Sequence, residues 1–171
     1  MCRIYVLLVS VLIMGCDGSY TDPSQIKNQN RQSTNSDVLS APLKSHFLIK
    51  DKFDQEADVF IVGDEISFEL DIKNISEVDV AYQATPPINS FIVKKEGEEI
   101  WSQHNGMMFM QAMTVGKIAP NDSLIFTAKW SGKDNEDVLL QPGRYEVFSN
   151  LVLFVGEQAI EVPNPKWIVL N

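Results

Sequence analysis

Cysteine is almost absent from this chain. Its two cysteines, Cys2 and Cys16, both lie near the N-terminus, so the remainder can form no disulfide and no thiolate-ligated metal site. Imidazole is equally scarce, with His46 and His104 alone. The nucleophile, paired-histidine zinc and phosphate-binding glycine motifs of common enzymes are missing from the sequence. We therefore expect a protein that is not an enzyme and that uses no cofactor.

Positive charge is also in short supply. Lysine and arginine number 14 against 23 acidic residues, which gives a formal net charge of -9 over 171 residues. Nucleic-acid binding needs clustered basic side chains, and so does a polybasic contact with lipid headgroups. We expect no nucleic-acid partner, and the length fits one domain with a solvated acidic surface.

The apolar run at the N-terminus is too short to span a bilayer. It covers Ile4–Met14, follows Arg3, and ends in Ile13-Met14-Gly15-Cys16, which is typical of the central region of a signal peptide. The ending resembles a bacterial lipobox, which implies cleavage before Cys16 and acylation of its thiol. We expect residues 1–15 to be a lipoprotein signal peptide, and the exported protein to be anchored by this lipid on the extracytoplasmic side of the bacterial membrane. The alternatives are an ordinary secretory signal or a single anchor helix.

Residues 16–42 are rich in Ser, Asn, Gln and Asp and poor in apolar residues. Such a composition cannot bury enough apolar surface to order itself. We predict a flexible tether here, with a reach of roughly 25–30 Å, followed by one domain over residues 43–171.

From residue 43 onward, hydrophobicity alternates with period two. The clearest case is Ile66–Ile72, in which every second residue is apolar, as in a strand with one buried face. Pro86-Pro87 predicts a loop or a crossover, since proline cannot donate a ladder hydrogen bond. No window carries a helical stripe, although residues 107–113 come closest. About eight or nine short strands predict an all-β antiparallel sandwich.

Several short motifs follow one another in a defined order along the second half of the domain. They are Phe91/Val93, Gly97/Ile100/Trp101, Phe109/Gln111/Ala112, Pro120-Asn121-Asp122-Ser123, Trp130 and Pro142-Gly143/Tyr145. Together they resemble the BsuPI family, the intracellular proteinase inhibitor domain of bacilli. The resemblance covers roughly residues 60–155 and includes one departure, Asn121 in place of a turn glycine, where asparagine tolerates the left-handed conformation.

The resemblance implies an immunoglobulin-like sandwich and a protein partner, a serine protease for the founding members. We expect a lipid-anchored protein-binding module that acts as a proteinase inhibitor through loops at the ends of the sandwich. The alternative is a non-inhibitory structural or assembly lipoprotein of the cell envelope.

Two segments are candidates for the partner-binding loop, Ser102–Gly106 and Ser131–Leu140. An extended loop can offer an apolar side chain such as Leu139 to a specificity pocket. A solvated acidic loop or a calcium loop is the alternative reading of the second segment. Its candidate residues are Asp134, Asn135, Glu136, Asp137 and Leu139.

Side chains that are soft metal ligands cluster in one short run after Trp101. Imidazole and thioether together suit Cu(I), which makes a Cu(I) carrier the third functional hypothesis. The competing interpretation is core packing, because methionine fills irregular gaps. The run consists of His104, Met107, Met108, Met110 and Met113.

Overall fold

The computed structural model describes residues 42–171. The predicted signal peptide, Cys16 and nearly all of the predicted tether lie outside these residues. The described part contains ten strands and no helix. It therefore has no helix long and apolar enough to cross a membrane. The strands are β1 (Leu43–Lys50), β2 (Val59–Phe60), β3 (Ile66–Asn74), β4 (Val80–Lys95), β5 (Glu98–Ser102), β6 (Thr114–Ile118), β7 (Ser123–Trp130), β8 (Gly143–Val155), β9 (Gln158–Ala159) and β10 (Lys166–Leu170).

The strands form two sheets. One has three strands in the order β1-β3-β7, and the other has seven, in the order β2-β10-β8-β4-β5 with β6 on β4 and β9 on β8. All pairs are antiparallel except β2 with β10. The predicted all-β, immunoglobulin-like sandwich is confirmed, and the count exceeds the expected eight or nine because β2 and β9 are only two residues long.

The core lies between the two sheets. Every second residue of β3, from Ile66 to Ile72, is fully buried, as the alternation predicted. Phe68 contacts rings from both sheets, with centroid separations of 5.7 Å to Phe91, 6.0 Å to Trp101 and 5.9 Å to Trp130. Aromatic side chains thus close the sandwich at its centre.

Two turns have the backbone that their residues favour. Glu96 and Gly97 both have positive φ, 53° and 88°, which matches the twist of a two-residue hairpin between β4 and β5. Asn121 has φ 62°, so asparagine does take the left-handed conformation expected of the family glycine.

The prediction of a loop or crossover at Pro86-Pro87 is wrong. Both prolines lie inside β4, and the strand continues through them. Their effect is local: the pairing of β4 with β8 shifts register between Ala84 and Asn89, because a proline cannot donate to a neighbouring strand.

The same interruption shapes the other edge of β4. Here β5 pairs with residues 92–95 and β6 pairs with residues 80–84, both antiparallel. β5 and β6 are therefore successive pieces of one edge strand, and the chain between them leaves the sheet opposite the prolines.

Candidate functional site

The segment that leaves this edge is residues 103–113, here called the methionine loop. Gln103, the first residue of the loop, is hydrogen-bonded to the sheet. The Gln103 backbone N–H donates to the Phe91 carbonyl at 2.9 Å, and the Phe91 N–H donates to Gln103 Oε1 at 3.3 Å. The Gln103 Nε2 also donates to the Thr127 carbonyl of the other sheet at 3.4 Å. One side chain thus joins both sheets at the base of the loop.

A turn follows at once. The Asn105 N–H donates to the Ser102 carbonyl at 3.1 Å, and the Met107 N–H donates to the His104 carbonyl at 3.0 Å. Gly106 has φ 72°, a conformation that glycine adopts at little cost. Phe109 turns back and meets the His104 ring edge-on, with centroids 5.1 Å apart. The base of the loop is therefore an ordered turn with an aromatic contact.

The four methionine side chains of the loop are exposed to solvent. Their exposed fractions are 62% for Met107, 99% for Met108, 83% for Met110 and 65% for Met113. The core-packing interpretation is wrong for all four, because the loop stands off the sheet edge. Residues 107–113 have no regular secondary structure, which agrees with the expectation that no segment is helical. Val115 of β6 is 67% exposed and extends this apolar surface.

His104 shares the loop with the methionines but lies against Phe109. Burial lowers the pKa of its imidazole below the ordinary value, because the charged form loses hydration. Its Nδ1 is buried without a hydrogen-bond partner in the described part. No group of three His, Cys, Asp or Glu residues suited to a metal occurs among residues 42–171. The combination of His104 with Met107, Met108 and Met110 for Cu(I) remains a prediction.

The second predicted segment forms a separate loop, residues 131–142 between β7 and β8, here called the acidic loop. Asp134 organises it: Asp134 Oδ1 accepts from the N–H groups of Glu136 and Val138, each at 2.9 Å. Asp137 has φ 67° and accepts from Lys133 Nζ at 2.7 Å. The loop is thus a compact turn and not the extended segment that was expected.

Both ends of the acidic loop are also fixed. Trp130 Nε1 donates to the Lys133 carbonyl at 2.7 Å, and the Tyr145 hydroxyl donates to the Gln141 carbonyl. The second contact is the device of the tyrosine corner in immunoglobulin sandwiches. Leu139 is 48% exposed and forms an isolated bridge with Lys133, so its backbone is already engaged.

Asn135 joins the two loops. Its N–H donates to the Ile100 carbonyl, and its Oδ1 accepts from the Ser102 N–H, both at 2.9 Å. Ser102 immediately precedes the methionine loop. Among the predicted partner-binding residues, Asp134 and Asn135 thus build and position the loops. Asn135, Glu136, Asp137 and Leu139 are exposed, and Asp134 is partly buried.

The roles of Gln103 and Val115 could not be predicted from the sequence. Gln103 belongs to the predicted Ser102–Gly106 segment, yet nothing in its local sequence indicates contacts to two sheets. The exposure of Val115 depends on β6 being an edge strand, which only the sheet order shows.

The fold and this edge define a β-sandwich that presents an ordered, apolar loop beside an acidic one. A family model described as BsuPI, intracellular proteinase inhibitor, matches residues 53–153. The chain belongs to this family, as the motifs predicted.

Solved structures with a similar fold are distant. The CARDB domain of a Pyrococcus furiosus protein, solved in complex with di-metal ions, is 14% identical with a TM-score of 0.36, over 75% of this chain and 93% of that chain. A β-glucosidase from Erythrobacter marinus is 8% identical with a TM-score of 0.41, over 75% of this chain. A β-glucosidase from Listeria innocua is 13% identical with a TM-score of 0.35, over 74% of this chain. The chain spans only 16% of the length of each glucosidase. No curated protein matches the chain.

Proposed function

We propose that the protein inhibits a proteinase by inserting the methionine loop into an apolar specificity pocket of the enzyme. The observation that supports this most directly is the exposure of Met107, Met108 and Met110 on a loop whose base is ordered. Membership of a proteinase-inhibitor family supports the class of partner. Serine proteases with hydrophobic pockets are the group to which such side chains are complementary.

The energetics favour this loop over the acidic one. Burial of one fully exposed methionine contributes about 1.5–3 kcal/mol. Met108 is 99% exposed before binding, so Met108 is the side chain that enters the pocket in this proposal. The turn through Gly106 and the edge-on contact of His104 with Phe109 hold the base in place. A loop that is partly ordered in advance loses less conformational entropy on association.

The acidic loop serves as the polar rim of the same surface. Asn135 fixes it to β5 at the point where the methionine loop starts. Glu136 and Asp137 are exposed beside this joint and can face basic groups of a partner. Charged rims set association rate and partner choice more than affinity.

The test is an inhibition assay with the full chain against serine proteases whose pockets are apolar, acidic or small. We expect inhibition of the apolar-pocket group, together with slowed hydrogen exchange of residues 103–113 in the complex. Inhibition with a footprint elsewhere would overturn the role of the methionine loop. Absence of inhibition across the whole set would overturn the proposed function and favour the alternative, an assembly lipoprotein with a non-protease partner.

We further propose that this inhibition takes place at a membrane surface, with the domain held by lipid on Cys16. The lipobox-like ending at Gly15-Cys16 supports lipidation of the Cys16 thiol. Two or more acyl chains at this cysteine would give a stable membrane anchor, which a single chain does not. Mass spectrometry of the N-terminal peptide from envelope fractions tests it. An unmodified Cys16, or an intact Met1–Gly15 segment in the mature protein, would contradict the anchor.

Cu(I) carriage is a second candidate that the exposed thioethers favour. A Cu(I) titration against a weak chelator, with wild type and Met107→Leu/Met110→Leu, separates it from inhibition. Copper binding lost in the double variant would support it, and no binding by wild type would remove it.

A further inference from the structure

The sulfur of the described domain is concentrated in one place. Methionine is usually among the more buried residue types, yet all four methionines of residues 42–171 lie in the methionine loop and are at least 62% exposed. Residues 42–171 contain no cysteine. The buried hydrophobic core of the described part consists of Leu, Ile, Val, Phe, Tyr, Trp and Ala. A reagent that attacks sulfur therefore meets the loop and spares the core.

We propose that the methionine loop is an oxidation-sensitive switch, in which hydroperoxides convert its thioethers to sulfoxides in the free inhibitor and thereby prevent it from binding the proteinase. This inference rests on the proposed function, since it assigns regulation to the same surface. The ligand class is a peroxide oxidant, and the product is a polar loop that no longer fits an apolar pocket.

The chemistry is an oxygen transfer. A lone pair of the methionine sulfur attacks the terminal oxygen of the hydroperoxide, so that an S–O bond forms as the O–O bond breaks. The proton of the transferred hydroxyl passes to the departing alkoxide or hydroxide, which leaves as an alcohol or as water. Sulfur is oxidised by one electron pair, the peroxide is reduced by the same pair, and methionine sulfoxide reductases reverse the change.

Exposure sets the expected order of reaction. Met108 and Met110, at 99% and 83% exposed, should be oxidised before Met113 and Met107, at 65% and 62%. Susceptibility to oxidation follows accessibility. Because Met108 is also the proposed inserting side chain, the first sulfoxide to form should already weaken inhibition.

The fold should survive this change. Gln103, His104 and Phe109 hold the base of the loop through hydrogen bonds and a ring contact, none of which involves sulfur. A sulfoxide on a solvent-facing side chain disturbs no buried packing. Loss of inhibition should therefore occur without unfolding.

The experiment treats the full chain with hydrogen peroxide and follows three quantities: sulfoxide at each methionine by peptide mass spectrometry, inhibition of the apolar-pocket protease, and the thermal unfolding midpoint. The matched control is Met107→Leu/Met108→Leu/Met110→Leu/Met113→Leu. This variant keeps an apolar loop of similar volume and retains Met1, Met14, Cys2 and Cys16, so an effect of those residues would appear in it as well.

We expect oxidised wild type to inhibit about tenfold less well or worse, at an unchanged unfolding midpoint. Reductase treatment should restore inhibition, and peroxide should not change the inhibition constant of the leucine variant, whatever the starting value of that constant. Full sulfoxide formation with undiminished inhibition would overturn the switch and leave the proposed function standing. Loss of inhibition in the leucine variant after peroxide would also overturn the switch. If the untreated protein inhibits no protease, the proposed function fails first, and the switch fails with it.

Discussion

Phe68 contacts aromatic rings from both sheets at the centre of the core. It is fully buried and meets Phe91, Trp101 and Trp130 at centroid separations of 5.7–6.0 Å. We expect Phe68→Ala to lower the free energy of unfolding by about 3–5 kcal/mol, through lost burial and the cavity left behind. Urea denaturation measures this. The exposed Phe53, in the turn after β1, supplies the control, since Phe53→Ala should leave stability nearly unchanged.

His104 gives the residue scale a pH dependence. Burial holds its pKa below the ordinary value of 6.5, so the folded state keeps the imidazole neutral where the unfolded chain takes up a proton. Stability from this group is complete above about 6.5 and is lost as pH falls toward the folded pKa. We expect wild type to lose more stability on acidification than His104→Gln. Equal pH profiles for the two proteins would show that His104 titrates as it does in water.

The exposure of the four methionines could not be predicted from the residue type. Met107, Met108, Met110 and Met113 were expected to pack because methionine commonly fills core gaps. The local amino-acid composition does not indicate whether a segment lies between the two sheets or at the edge of one sheet. The exposure of these side chains follows from the course of the edge strand and not from the residue type.

At the scale of elements, the two loops act together through Asn135. Its side chain accepts from the Ser102 N–H at 2.9 Å, directly before the methionine loop. We expect Asn135→Ala to raise the inhibition constant roughly fivefold, equivalent to about 1 kcal/mol of extra ordering cost. Kinetic inhibition assays measure this.

The adjacent Glu136 provides the matched control for that change. Glu136 contributes its backbone N–H to the loop through Asp134, and Glu136→Ala preserves this group. We expect little change in inhibition from it. Equal effects of the two substitutions would mean that any side-chain truncation in this loop weakens inhibition, and that the Asn135 joint has no specific role.

Pro86 and Pro87 explain why the methionine loop exists at this position. They interrupt β4 without ending it. On the opposite edge of β4, the chain that follows β5 pairs with β4 as far as Phe91. Pairing with β4 resumes in β6, which reaches Ala84. The sequence rule that proline excludes a ladder hydrogen bond was right. The conclusion that the strand ends there was wrong, because a strand can pass a bulge when it is paired on both sides of it.

At the scale of the whole molecule, the fold was largely predictable. The alternation from Ile66 to Ile72 and the turn residues at Gly97, Asn121 and Gly143 specify strands and their connections locally. The ordered motifs from Phe91 to Tyr145 identified the family. What the sequence did not reveal is which loop is available, because that depends on sheet order and edge position. Binding was expected at the ends of the sandwich, whereas the most exposed apolar loop leaves the middle of a sheet edge.

The central claim is that Met108 enters an apolar pocket of a proteinase, and one comparison of inhibition constants tests it most directly. Met108→Asp places a charge at the most exposed methionine, and Phe53→Asp places the same charge on an apolar residue that is 72% exposed elsewhere. We expect Met108→Asp to weaken inhibition at least tenfold, through lost burial and the cost of desolvating a carboxylate. Phe53→Asp should inhibit like wild type. Equal inhibition by wild type and Met108→Asp would contradict the claim.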